Sequence, residues 1–174
     1  VYGKRITAIR QNQIIVIEGI HALNGKLTED IPTEKKFKIY IIPFTKSNIY
    51  SHNRISTSDA RLLRRMFRDH LYRGHHSQAT IAGWPKVRKG EEKNIFPFNV
   101  EADVMFNSAL TYELAVLKKH AVPLMEAVKP EEPEYGEAVR MLKFVRFFET
   151  IEDESVIPSN SIIREFIGGS MFVV

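Results

Sequence analysis

Four arginines, Arg61, Arg64, Arg65 and Arg68, occur within eight residues, and Arg73 follows close behind. On a helix, at about 100° per residue, the four share roughly a third of the circumference. Leu62, Leu63, Met66 and Phe67 fall on the other side. The segregation predicts a helix over about Asp59 to Tyr72, with Ser58 or Asp59 as N-cap and Gly74 ending it. Guanidinium groups stay charged, and their planar fork matches phosphate oxygens two at a time. Crowded on one face they repel one another unless anions or acids neutralise them. Phosphate is the ligand this pattern suits best, and Arg61 and Arg64 are read as nucleotide-phosphate contacts. The alternative is a solvated basic face paired with nearby Asp and Glu.

Glu18 is the second residue with chemical promise. It follows Ile14-Ile15-Val16-Ile17, a continuous β-branched run of the sort found in strands covered on both faces. An acid at the carboxyl end of such a strand lies on the edge where open α/β sheets bind ligands. There it can help hold Mg²⁺, which commonly takes one or two carboxylates together with substrate phosphates. It can equally cap a following helix or pair with an arginine.

Other candidates carry less. The histidines, His21, His52, His70, His75, His76 and His120, show no metal-ligand spacing. His75-His76 reads as a loop. Trp84, Phe96 and Phe98 lie in the Gly/Pro-punctuated stretch WPKVRKGEEKNIFPF, where they serve either as loop anchors of the core or as a stacking surface for a base. The sequence contains no Gly-x-x-x-x-Gly-Lys-Ser/Thr loop, no Gly-x-Ser-x-Gly and no His-Glu-x-x-His.

The elements that must position these residues alternate. Strands are expected at Ile14–Ile17, Phe37–Phe44 and Asp103–Phe106, and helices around Asp59–Tyr72, Ser108–Ala121 and Tyr135–Glu149. Pro130 and Pro133, among glutamates, mark a turn, and a short helix precedes Gly168-Gly169. The pattern predicts an α/β fold with a mostly parallel sheet in one domain. Hydrophobic residues at 44% supply a sizeable core, and charged residues at 26% exclude wholesale disorder. The lack of cysteine excludes disulfides, thiolate catalysis and Cys-based zinc sites, and it fits a reducing compartment such as the cytoplasm. No apolar run reaches the roughly 20 residues of a membrane span. The net charge of +4 is concentrated between Arg54 and Lys93. The opening Val-Tyr-Gly-Lys, without a starting Met, reads as a fragment of a longer product.

VIEGIHAL (Val16–Leu23) resembles the strand-plus-acid motif of the uridine kinases and phosphoribulokinases. SDARLLRRMFRDHLYRG (Ser58–Gly74) is similar to their arginine-rich lid helix, R-x-x-R-R-x-x-R-D-x-x-x-R-G. IFPFNVEADVMFNSALTYEL and SIIREFIGG resemble a bacterial branch of uridine kinase-related nucleoside kinases. The resemblance extends from Val1 to Gly169 and implies the C-terminal part of a P-loop kinase, a three-layer fold incomplete at its N-terminus, with a lid over about residues 54–99. It implies ATP as phosphoryl donor, Mg²⁺ as companion ion and a nucleoside hydroxyl as acceptor. It assigns Glu18 to the metal side and Arg65, Arg68 and Arg73 to the transferring phosphoryl group, while Asp69 pairs within the lid rather than acting as a base. The implied partners are nucleotides and nucleosides, with no membrane and no nucleic acid, and a homo-oligomer is compatible with it.

Two departures accompany the resemblance. The Walker A loop and the family's catalytic acid are missing, so the chain alone is expected to be inactive. Asn107-Ser108-Ala109 stands where uridine kinases read Pro-Arg-Gly, and Arg73-Gly74-His75 where they read Arg-Gly-Arg. A polyanion- or RNA-binding module and a degenerate kinase with a regulatory role are the alternative readings.

Overall fold

A computed structural model describes residues 8–45, 48–50 and 53–172. Two short strands, β1 (Ile39–Ile42) and β4 (Val104–Asn107), form a parallel pair in the register Ile39 to Val104 and Ile41 to Phe106. Between them in sequence lie a small antiparallel hairpin, β2 (Asn48–Tyr50) with β3 (Asn53–Arg54), and two helices, α1 (Thr57–Arg73) and α2 (Ser77–Asn94). After β4 come α3 (Glu113–Glu126), α4 (Tyr135–Val145) and the single turn α5 (Arg164–Ile167). The mixed α/β character and the parallel pairing agree with the sequence.

The start of the β1–β4 ladder is pinned by side chains. Asp103 accepts a hydrogen bond from the Lys38 backbone N–H at 2.6 Å, and the Lys38 ammonium donates to Glu101 at 2.6 Å. At the other end Asn107 acts as a substitute strand. Its Oδ1 accepts from the Phe44 N–H at 2.7 Å and its Nδ2 donates to the Phe44 carbonyl at 2.9 Å.

The core lies among the helices rather than on the sheet. Leu62, Leu63, Met66 and Phe67 of α1 are buried with Val116, Leu117, Ala121 and Met125 of α3. Ala138, Met141 and Val145 of α4, Phe166 of α5 and Ile163 just before it complete the cluster. The apolar side of α1 read from its periodicity is the side that packs. Ser56, rather than Ser58 or Asp59, is the N-cap, its hydroxyl accepting from the Asp59 N–H. Gly74 ends the helix at φ +63, a left-handed conformation that glycine adopts at little cost.

Three expectations are corrected. Ile14–Ile17 forms no strand among the described residues: no ladder partner lies beside it, and Ile14 and Val16 are 90% and 85% exposed. A run of β-branched residues favours extension, but a strand exists only through its pairing. The WPKVRKGEEKN stretch is helix, not loop. Buried Ser77, Thr80, Ile81 and Glu91 anchor α2 along its length, and this tertiary fixing outweighs Gly83, Pro85 and Gly90. The third helix begins at Glu113, later than Ser108, and runs through Pro123 to Glu126 because burial of Ala121 and Met125 offsets the lost backbone bond.

Candidate anion-binding site on the arginine helix

The five arginines of α1 have three different environments. Arg64 points inward. Its Nε and Nη2 both engage the Glu113 carboxylate, the latter at 2.6 Å, and Nη2 also donates to the Ser108 carbonyl at 2.8 Å. Nη1 reaches the Ser108 hydroxyl at 3.3 Å, and the guanidinium carbon lies 5.2 Å from the centroid of the Phe166 ring. Its donors are taken up by the protein interior.

Arg61 is tied to α2. Both its terminal nitrogens donate to buried Glu91, and its guanidinium carbon is 6.0 Å from the Trp84 ring centroid. Tyr40 of β1 belongs to this cluster. Burial pushes its phenol above the ordinary range, positive Arg61 pulls it down, and Glu91 adds to the rise.

Arg65, Arg68 and Arg73 form the third environment. Arg65 Nε donates to Asp69 Oδ2 at 3.1 Å and Arg73 Nη1 donates to Asp69 Oδ1 at 2.9 Å. The shared carboxylate is only 2% exposed, while both arginines keep terminal nitrogens without a partner among the described residues. The Arg68 side chain is half exposed, and its nearest acid, Glu165, stands 3.9 Å away, too far for a hydrogen bond.

These side chains open onto one cleft of about 520 Å³, lined also by Ile20, Pro43, Trp84, Ile95 and Phe166. Five guanidiniums border it against the carboxylates of Asp69 and Glu91, with Glu113 compensating Arg64 from inside. The surplus is positive, and its unspent donors belong to Arg65, Arg68 and Arg73. A phosphate-bearing ligand satisfies both the charge and the donors.

Glu18 is exposed, two residues before Ile20 of the cleft wall. No group of three His, Asp or Glu side chains suited to a metal ion occurs among the described residues. A single carboxylate there fits a hydrated Mg²⁺ only in company with ligand phosphates. His70, His75 and His76 are exposed, and His120 pairs with Glu154. His52 lies outside the described residues. A smaller cavity of about 250 Å³ sits at the carboxyl ends of β1 and β4, between Phe44, Asn107, Leu110 and Phe148.

Glu91, Glu113, Ser108 and Thr80 were not legible as site residues. The partners of Arg61 and Arg64 lie 30 and 49 positions away in sequence, and nothing local marks those pairings. The sequence signal that existed was the crowding of arginines itself, which demands acids from somewhere.

The α/β scaffold thus presents a guanidinium-lined cleft with surplus positive charge. Residues 4–115 match the model of the phosphoribulokinase/uridine kinase family, and the chain belongs to that family of kinases. It has no significant match among curated proteins or solved structures. No helix among the described residues is long and apolar enough to cross a membrane.

Proposed function

We propose that this chain supplies the arginine lid and the acid-bearing segment of an ATP-dependent nucleoside kinase with a three-layer P-loop fold. The observation that carries the reading is the convergence of Arg65, Arg68 and Arg73, with unspent donors, on one cleft. In phosphoryl transfer the protein mainly positions the reactants and stabilises charge on the moving group. Arg68 is the arginine freest to contact that group. Arg65 and Arg73 flank it, and Arg61 borders the nucleotide beside Trp84. Arg64 acts from behind, fixing α1 against α3 through Glu113. Glu18 contributes a carboxylate to a nucleotide-borne Mg²⁺, an ion that would neutralise phosphate charge.

The 174 residues hold no Gly-x-x-x-x-Gly-Lys-Ser/Thr loop. Transfer therefore requires such a loop from outside them, and the chain by itself turns over negligibly. The test is transfer of labelled γ-phosphate from ATP to a panel of nucleosides by the protein carrying this chain together with a phosphate-binding loop. Formation of a nucleoside monophosphate that drops at least about tenfold in kcat for Arg68→Gln supports the reading. Transfer indifferent to Arg68, or absent for every nucleoside, refutes it.

A further inference from the structure

Arg65 and Arg73 lie two helical turns apart, with side chains 38% and 47% exposed. What sets their direction is one carboxylate. Asp69 takes Arg65 on Oδ2 and Arg73 on Oδ1, so the two guanidiniums straddle it on the cleft wall. An arginine side chain has several rotatable bonds, and a single tether leaves much of that freedom unless the tether itself is fixed. The Asp69 side chain is anchored from α2. The hydroxyl of Thr80, buried at 5% exposure, donates to Asp69 Oδ2 at 3.2 Å. The Asp69 backbone carbonyl meanwhile accepts from the Gly74 and His75 N–H groups, closing the helix end from which Arg73 projects.

We infer that Thr80 is a positioning residue for the anion site: its hydroxyl orients the Asp69 carboxylate, which in turn aims Arg65 and Arg73 into the cleft. The inference rests on the reading of the cleft as a phosphate site and names the residue on the second helix that sets its geometry. Thr80 does not line the cleft. Its effect is transmitted through Asp69. The hydroxyl is the only hydrogen-bond donor that α2 offers this carboxylate among the described residues. Without it, the carboxylate keeps only the two half-exposed arginines, Arg65 on Oδ2 and Arg73 on Oδ1, and loses its tether to α2.

The experiment titrates inorganic tripolyphosphate into the chain and into Thr80→Val and Thr80→Ser, with the Arg65 Nε–H resonance followed by ¹H–¹⁵N spectroscopy. Valine matches the shape of threonine without its hydroxyl, and serine keeps the hydroxyl. Thr80→Val is expected to weaken binding by about threefold to tenfold, the scale of one ordinary net hydrogen bond, since its effect reaches the ligand only through Asp69, and to broaden or shift the Arg65 signal. Thr80→Ser is expected to restore both to within about twofold, a difference well below the worth of such a bond. Unchanged binding in Thr80→Val overturns the inference, as does equal weakening in both variants, which would trace the effect to packing. Absence of binding by the unaltered chain is a separate outcome: it overturns the phosphate reading of the cleft, and the inference with it.

Discussion

Arg64 of α1 and Glu113 of α3 meet inside the protein as a two-pronged ion pair, each with its side chain at or below a tenth exposed. The pair spans 49 residues of sequence and is completed by the Ser108 carbonyl and by Glu113 accepting the Leu110 N–H at 3.2 Å. It joins the arginine helix to the turn after β4. Breaking such a pair from one side leaves a buried charge without compensation.

Glu113→Ala is therefore expected to destabilise the fold by about 3–5 kcal/mol in urea denaturation. The double variant Arg64→Met with Glu113→Leu removes both charges and is expected to recover most of that loss, because an apolar pair of similar volume has no desolvation cost to meet. A double variant no better than Glu113→Ala would show that the hydrogen bonds to Ser108 and Leu110, rather than the charges, hold this junction.

Arg140 of α4 grips both Glu137 and Asp59, and thereby ties α4 to the first turn of α1. The hydrogen bond from Arg140, more than its charge, holds the Glu137 carboxyl below its ordinary value of 4.5, while partial burial opposes the shift. A depressed carboxylate stabilises the fold above its unfolded-state value and loses that contribution as pH falls through the lowered one. The stability gap between the unaltered chain and Glu137→Gln is expected to be constant above about pH 5.5, where both states are ionised, and to shrink below about pH 4.5. Because the Glu137 side chain is still about a third exposed, added salt should narrow the gap as well. Thermal unfolding across pH and salt reads both trends, and a gap that widens on acidification contradicts them.

Much of the scaffold was legible because its signals are local. The period of Leu62, Leu63, Met66 and Phe67 fixed the buried side of α1, and Gly74 marked its end. The β1 and β4 strands were visible as short apolar runs. Ile14–Ile17 carries the same signal yet forms no strand, since pairing depends on a neighbour that no single segment encodes. The α2 helix was hidden behind Gly83, Pro85 and Gly90, which local rules take as breakers and burial overrides. At the site, the arginines were apparent as a group but not their division of labour. Arg64 turns inward only because Glu113, far along the chain, is brought beneath it. A 100° wheel places Arg64 with the others and carries no knowledge of what α3 presents.

A cleft in which Arg65, Arg68 and Arg73 hold phosphate should bind Mg·ATP in a calorimetric titration at low ionic strength. The chain and a triple variant, Arg65→Gln with Arg68→Gln and Arg73→Gln, would be compared, with circular dichroism confirming that both are folded. Saturable binding by the chain, weakened at least about tenfold in the variant, is expected, since each charge-assisted hydrogen bond contributes roughly 1.5–3 kcal/mol. Equal binding by both, or none by the folded chain, would contradict the phosphate reading of the cleft.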